Sequence, residues 1–272
     1  MKPKLAACNF ISAPGQLKQF ALKHGFDGID WSIDLKTFPR RPQEETALVQ
    51  TLIDLQPLEV RYHCPYPQVD IGHTQLSEAN KAKSIFERSV RLVSKAGGQF
   101  MTIHIGLGHD TTHLFSWQTA IENLRDLVQC GADHGVKVWL ENLAWGWTST
   151  PNLLEKLIRR TGAGVTFDIG HARICEAVQT QYYAPEDFIT PHLGQVYNAH
   201  VYHTEVKGIG HLPPDEIAEI ADRLAVLLRA GCNWWVIEIK EAGGLLRTKQ
   251  MIETYLEQIE NEDNPRSVGR SW

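Results

Sequence analysis

Short runs of apolar and β-branched residues alternate along the chain with longer segments in which apolar residues recur every three or four positions. The first pattern is typical of buried strands and the second of amphipathic helices. The clearest helical repeat consists of Ile217, Ile220, Leu224, Leu227 and Leu228. The strand-like runs occupy residues 4–10, 26–32, 58–64, 99–105, 136–142, 164–170, 195–203 and 233–239.

Glycines mark the ends of several predicted helices. Each stands just before the next strand-like run, where a left-handed C-cap is expected in a helix-to-strand loop. These glycines are Gly25, Gly97, Gly135, Gly162 and Gly231. Strands and helices are therefore predicted to alternate along the whole chain, as in α/β proteins.

Eight strands in such an alternation have two common arrangements, an open doubly wound sheet or a closed (βα)8 barrel. A repeat of roughly 34 residues favours closure, and the chain's 272 residues suit a barrel, which typically has about 250. A dinucleotide-binding sheet would carry G-x-G-x-x-G after its first strand, whereas this chain reads NFISAPG. The sequence predicts one α/β domain, a TIM barrel over residues 1–262, followed by a C-terminal tail over 263–272.

Composition and charge narrow the class of protein. Hydrophobic residues make up 43% of the chain and charged residues 22%, which is enough for a sizeable core. The formal net charge of −5, with no long basic run, argues against nucleic acid as the main partner. No apolar stretch reaches the roughly 18 residues of a membrane span. Five cysteines without paired spacing favour reduced thiols and a cytoplasmic protein, and the oligomeric state stays open.

Ionisable residues stand at the ends of six predicted strands. Because the C-terminal strand ends of a barrel meet on one rim, these residues are expected to be neighbours in space. Carboxylates gathered there would repel one another unless a cation compensates. Carboxylate oxygens with one imidazole suit a single divalent ion, Mn²⁺, Mg²⁺, Co²⁺ or Zn²⁺. The six strand-end residues are His63, His104, Glu141, Asp168, His200 and Glu238, of which the last four form the oxygen-rich set.

Other interpretations of these residues remain open at this point. Asp168 could cap the helix that follows its strand. Glu238 could be paired with Lys240 or Lys137, because a buried carboxylate without a partner is costly. The two remaining strand-end histidines, His63 and His104, could be hydrogen-bonded core residues.

Seven segments together resemble the xylose isomerase-like barrel superfamily, which contains sugar isomerases and epimerases, inosose dehydratases and nucleases of the endonuclease IV type. The resemblance covers residues 4–260. The segments are FDGIDWS, HCPYPQVDIGH, TIHIGLG, LENLAWG, FDIGHARI, HVYHTEVKGIGHLP and IEIKE, each at or after a predicted strand.

The resemblance implies a metal-dependent isomerase or epimerase of a ketose or inosose, in which a proton is removed next to a metal-bound carbonyl. It assigns the metal to Glu141, Asp168, His200 and Glu238. Glu141 and Glu238 would also be the catalytic acid and base on opposite sides of the substrate carbon. The expected substrate-binding residues are His63, His104, His171, Lys207 and His211, of which Lys207 is selected by its position alone as a clamp for a terminal oxygen or phosphate. Aromatic residues near the rim could form a wall for the sugar, and packing under loops would explain each of them equally well; they are Trp31, Tyr66, Trp145, Trp147 and Tyr202.

Three alternatives accompany this prediction. A dehydratase of an inosose or of a dehydroshikimate-like substrate would begin with the same proton abstraction. A barrel that only binds a sugar would not need Glu141 and Glu238. A nuclease of the endonuclease IV type would hold three metal ions, but it would need an aspartate where Ile209 stands, and its third ion would keep only His171 and His211. The strand-seven aspartate common in the family is also replaced here by His203.

Overall fold

The structure, a computed structural model, describes residues 2–67, 69–106 and 114–263. Most of the predicted tail, from residue 264 on, lies outside these ranges. The division into a domain over residues 1–262 and a tail over 263–272 therefore stays a prediction.

Ten strands form the sheets of the described part of this protein. They are β1 Lys4–Cys8, β2 Gly28–Ser32, β3 Glu59–Cys64, β4 Phe100–Ile103, β5 Lys137–Glu141, β6 Gly164–Asp168, β7 Val196–Val201, β8 Thr204–Val206, β9 Gly210–Leu212 and β10 Trp234–Ile237. Eight of them close into a barrel in the order β1-β10-β7-β6-β5-β4-β3-β2, with every neighbouring pair parallel. The barrel strands fall within the eight predicted runs, so the predicted (βα)8 TIM barrel is confirmed.

The other two strands, β8 and β9, form an antiparallel hairpin that the sequence did not predict. Glu205 pairs with His211 across this hairpin. The hairpin follows β7 directly and therefore lies at the rim where the barrel strands end.

Nine α-helices lie within the residues that the structure describes. They are α1 Pro14–Lys23, α2 Pro42–Ile53, α3 Leu76–Lys95, α4 Trp117–Asp133, α5 Pro151–Thr161, α6 Ile169–Ile174, α7 Glu176–Gln179, α8 Ala221–Arg229 and α9 Ala242–Asp263. The five predicted C-cap glycines have φ between 64° and 77°, in the left-handed region.

Helix α5 illustrates how the outer layer is held to the barrel. Pro151 begins the helix at a position that needs no N–H donor, and Gly162 ends it with φ 77°. Leu154, Leu157 and Ile158 share one face and are buried. Burial of such side chains stabilises the fold by about 1.5–3 kcal/mol each.

Two connections differ from the sequence prediction. Between β6 and β7 the chain forms the short helices α6 and α7 and two 3-10 turns. The backbone leaves the helical region at Cys175, where ψ is 145°, and Gln181, soon after α7, has φ 58°. The segment predicted as one helix before β10 is a 3-10 turn, Ile217–Glu219, followed by α8. The backbone leaves the helical region at Ile220, where φ is −128°.

The barrel interior is filled in layers. At the N-terminal end the Arg61 guanidinium lies over the rings of Trp234, Phe100 and Trp139, at 4.3, 4.5 and 5.2 Å. Its Nη1 donates a hydrogen bond to the Tyr197 carbonyl at 2.7 Å. This layer closes the end of the barrel that lies opposite the predicted site.

A layer of small polar side chains lies above it. The hydroxyls of Thr102 and Thr166 are 2.8 Å apart, and Asn198 Nδ2 donates to Thr102 Oγ1 at 3.3 Å. These contacts across the barrel confirm that Thr166 and Asn198 point inward, as the alternation along β6 and β7 predicts. The next inward residues along these strands are Asp168 and His200.

Candidate metal centre and active site

Three carboxylates meet one histidine nitrogen at the C-terminal end of the barrel. Glu141 ends β5, Asp168 ends β6, and Glu238 follows β10. Their nearest oxygens lie 3.2, 3.7 and 3.1 Å, respectively, from Nδ1 of His200 on β7. The structure thus brings together the four residues expected to bind a metal.

These donors fit a divalent cation. Glu141 Oε1, Asp168 Oδ2 and His200 Nδ1 are buried and have no hydrogen-bond partner among the described residues. Buried polar atoms without partners are costly, and a cation would compensate them. Separations of 3.1 to 3.7 Å are those of donor atoms sharing one ion, because metal–ligand distances are about 2.0–2.3 Å.

Asp168 has two functions at once. Its Oδ1 accepts a hydrogen bond from the backbone N–H of His171 at 2.7 Å and so caps α6, as the alternative interpretation of this residue expected. Its other oxygen faces the carboxylate cluster. The side-chain amide of Asn142 holds the Asp168 backbone in place. Its Nδ2–H donates to the Asp168 carbonyl and its Oδ1 accepts from the Asp168 N–H, both at 2.8 Å. Sequence reasoning did not identify Asn142.

Two histidines contact the second oxygen of Glu141. His104 Nε2 and His63 Nε2 lie 3.0 and 3.1 Å from Glu141 Oε2, and 2.9 Å from each other. These histidines are buried, yet they belong to the site rather than to an ordinary core. Asp30 lies behind His63, 3.9 Å from its Nδ1, and the sequence analysis did not select it.

A second group of donors lies beside the carboxylate cluster. His171 Nε2 is 3.1 Å from Glu205 Oε2, and donor atoms of His171, Glu205 and His211 lie within 4.8 Å of one another. Both histidines donate their Nδ1–H to backbone carbonyls, His171 to Asn142 at 3.0 Å and His211 to Glu238 at 2.9 Å. Their Nε2 atoms therefore remain available as ligands.

Glu205 corrects one expectation from the sequence. With Ile209 in place of an aspartate, His171 and His211 were expected to stand without a carboxylate. The hairpin instead supplies Glu205 from another position, while Ile209 is 73% exposed. The prediction that a third ion would keep only His171 and His211 as ligands is therefore wrong.

Gly170 and Tyr202 hold His211 in place. The Tyr202 ring is wholly buried and stacks on the His211 ring, with centroids 3.9 Å apart and planes at 6°. A Cβ at Gly170 would lie 2.6 Å from Tyr202 Cδ2 and closer still to Cε2 and Cζ. The glycine of the DIGH segment is therefore required by its approach to this ring.

Electrostatic interactions keep the site ionised in the protein alone. Burial raises the pKa of Glu141, but His200, His104 and His63 hold it well below its ordinary value. Burial opposes ionisation of Glu238 too, and the histidines, His200 first, lower its pKa to about 2. Burial lowers the pKa of His200, whereas Glu141 and Glu238 raise it well above the ordinary value. A protonated His200 thus offsets part of the negative charge.

A cavity of about 500 Å³ opens above these groups at the rim. Six of the predicted site residues line it together with Glu205: His63, His104, Glu141, His171, His211 and Glu238. Trp145 contributes aromatic surface to it, whereas the Tyr66 ring is only 1% exposed and packs against Phe38 and Phe86. Other aromatic residues expected there pack elsewhere, Trp31 against the core, Trp147 on Phe115 and Tyr202 on His211.

The cationic residues at the cavity differ from those expected. Lys207 is exposed in the turn between β8 and β9 and does not line the cavity. Lys36 and Lys240 do line it, and both are exposed at its mouth. His203 lies 3.4 Å from Glu219 and accepts a hydrogen bond from Arg173 at 2.9 Å.

The barrel and its rim of carboxylates and histidines define an α/β-barrel protein with a candidate metal centre. The chain belongs to the xylose isomerase-like TIM barrel family, whose model matches residues 19–260.

Relatives and similar structures were found along most of the chain. An uncharacterized protein of Methanocaldococcus jannaschii is 30% identical over 185 residues, which cover 68% of this chain and 79% of the relative. An L-ribulose 3-epimerase structure covers 100% of both chains with a TM-score of 0.73 and 17% identity. Endonuclease IV from Thermus thermophilus has a TM-score of 0.67 and 15% identity, over 94% of this chain and 100% of its own. At these identities the similar structures establish the fold.

No helix within the described ranges is long and apolar enough to cross a membrane.

Proposed function

We propose that this protein is a metal-dependent sugar isomerase or epimerase that acts on a ketose or an inosose. The observation that carries the proposal is the approach of Glu141 and Glu238 to the same nitrogen of His200, at 3.2 and 3.1 Å, beneath the rim cavity. Two carboxylates from strands separated by β6 and β7 can reach a substrate carbon from different sides. That arrangement suits removal and return of a proton.

The two carboxylates differ in their surroundings. The Glu238 side chain is 12% exposed, whereas that of Glu141 is 1% exposed and has its Oε2 against two histidines. We assign proton abstraction to Glu238, which is more accessible from the cavity. We assign proton return to Glu141, which would have to take up a proton before the substrate binds, because its carboxyl is ionised in the protein alone. A divalent ion held by the four side chains would polarise the substrate carbonyl and stabilise the negative charge that develops beside it.

The cavity supports a small polyhydroxy substrate. Its volume of about 500 Å³ lies in the range of small-molecule sites. Trp145, which is 42% exposed, offers a ring face for the C–H groups of a sugar, and His171, His211 and Lys240 can contact its hydroxyls. The 3-epimerase among the similar structures acts on a ketose by its name, which supports the same substrate class here.

Proton exchange with solvent tests this proposal. The protein is incubated with Mn²⁺ and a panel of ketoses and inososes in D₂O, and deuterium is expected at the carbon beside the carbonyl of at least one of them. Glu238→Gln should abolish the exchange because an amide cannot take the proton. Glu78→Gln, on the exposed surface of α3, is the matched control and should retain it.

Absence of exchange across the whole panel would contradict the proposed reaction. Full activity of Glu238→Gln would contradict the role of that residue. A product that has lost water would instead identify dehydration after the same proton abstraction.

A second candidate function is hydrolysis of a phosphodiester. It is favoured by the two further donor groups at the rim, one made of His63, His104 and Glu141 and the other of His171, Glu205 and His211. Metal content separates the candidates. About one divalent ion per chain supports the isomerase, whereas three bound zinc ions together with cleavage of DNA at an abasic site would support the hydrolase.

A further inference from the structure

Asp30 is a buried carboxylate for which the proposed reaction has no use. It lies on β2 and is 2% exposed. Its Oδ1 has no hydrogen-bond partner among the described residues. Because an ionised carboxylate is costly to bury without a donor, a donor is expected close by.

Two imidazole rings face this carboxylate. Asp30 Oδ2 is 3.9 Å from His63 Nδ1, and donor atoms of Asp30, His63 and His200 lie within 4.8 Å of one another. The two ring centroids are 4.9 Å apart. His63 Nδ1 and His200 Nε2 are both buried, and neither has a hydrogen-bond partner in the described ranges. One carboxylate therefore lies next to two rings that each have an unused nitrogen.

The other nitrogen of each ring is directed at the candidate metal centre. His200 Nδ1 lies within 3.7 Å of three carboxylates, and His63 Nε2 is 3.1 Å from Glu141 Oε2. A neutral imidazole binds a cation through the nitrogen that has no proton, so its proton must stay on the opposite nitrogen. That N–H needs an acceptor.

We propose that Asp30 is a positioning residue that accepts the ring N–H of His200. By doing so it fixes the tautomer and the orientation of this ring, with its unprotonated Nδ1 turned towards Glu141, Asp168 and Glu238. This inference rests on the metal centre of the proposed function and not on the reaction catalysed there. It assigns to Asp30 no contact with the substrate.

Zinc affinity of the full chain tests the inference. Asp30→Asn keeps the size of the side chain but replaces an acceptor with an N–H donor that faces the ring N–H of His200. We expect the affinity for Zn²⁺, measured by competition with a chelator, to fall about 10–100-fold, as for other residues that orient metal ligands. Thr102→Val is the matched control, because Thr102 is buried one layer below and bonds to Thr166. The control should change the affinity by less than about twofold, since it does not contact a ligand.

A measurement on the wild-type protein makes the inference independent of how the variant folds. In the zinc-loaded protein with ¹⁵N-labelled histidine, the NMR spectrum should place the proton of His200 on Nε2, protected from exchange. An unprotonated Nε2, or equal zinc affinity of wild type and Asp30→Asn, would overturn the role of Asp30 and leave the metal centre intact. A wild-type protein that binds no zinc would overturn both.

Discussion

Gly170 allows a direct test of the packing behind the site. Gly170→Ala would place a methyl group 2.6 Å from Tyr202 Cδ2 and closer to two further ring atoms. Tyr202 has 0% exposure, and one face of its ring is covered by His211 at 3.9 Å. The ring therefore has no free space to move into, and either α6 or His211 must shift.

The expected magnitude follows from this overpacking. Extra methyl groups in a tightly packed interior cost about 1–3 kcal/mol, and the upper half applies here because the methyl would meet three ring atoms of a buried side chain. For a domain of this size each kcal/mol lowers Tm by about 2–4 °C, so a fall of roughly 4 to 12 °C is expected.

Thermal unfolding with excess chelator measures the effect without a contribution from bound metal. Gly15→Ala is the control, because Gly15 also lies in a helix and a Cβ there would have nothing within 4 Å. The free energy of unfolding of that variant should equal the wild-type value or exceed it by up to about 1 kcal/mol, because alanine lowers the entropy of the unfolded chain. If both variants unfold at the wild-type temperature, the close approach of Gly170 to Tyr202 is refuted.

Three further predictions concern the metal centre and the floor of the barrel. Addition of a divalent ion at about 100 times its Kd should stabilise the folded chain by about 2.7 kcal/mol, measured as a rise in Tm that a chelator reverses, and an unchanged Tm would contradict the metal centre. Because carboxylates hold the pKa of His200 above its ordinary value, its nitrogen must release a proton before it can bind the ion. The affinity for the metal ion should therefore fall as the pH is lowered, and calorimetry in two buffers of different ionisation enthalpy should detect proton release on binding. A metal affinity that does not change with pH, without proton release, would contradict this. Arg61→Ala removes the donor to the Tyr197 carbonyl and a cation that lies over three aromatic rings, and it should lower the free energy of unfolding by about 2–4 kcal/mol in urea. Arg159→Ala, which removes an exposed ion pair with Glu155, should cost less than about 1 kcal/mol, and equal losses in the two variants would refute the assigned importance of Arg61.

The strands and the strand-end residues could be predicted because they follow from short-range rules. Alternation along β6 and β7 determines that Asp168 and His200 point inward, and closure of the barrel brings them next to Glu141. Neither step needs knowledge of a loop.

Glu205 and Lys207 could not be placed in this way. They lie in a hairpin of two three-residue strands, all half-buried, which carries no clear alternation. Their positions depend on how the chain folds back after β7, and that return brings Glu205 to His171 while it leaves Lys207 exposed.

Asp30 was missed for another reason. Its strand was predicted, but the residue stands in mid-strand, where a buried carboxylate has no local signal of its own. Its importance comes from His200 on β7, and the proximity of the two residues appears only in three dimensions.

The closed floor of the barrel has a consequence for the fate of the transferred proton. Arg61, Trp234 and Trp139 fill one end, and the Thr102 layer lies above them, each of these side chains being at most 6% exposed. Within the described residues, solvent therefore reaches Glu238 by way of the rim cavity, and a bound sugar would obstruct that route. A proton held by Glu238 should then return to the same face of the substrate more often than it is lost. Substrate recovered after the first turnovers would therefore carry less deuterium than product, whose new proton comes from Glu141. The bound sugar would in this way separate Glu238 from solvent until it leaves the site.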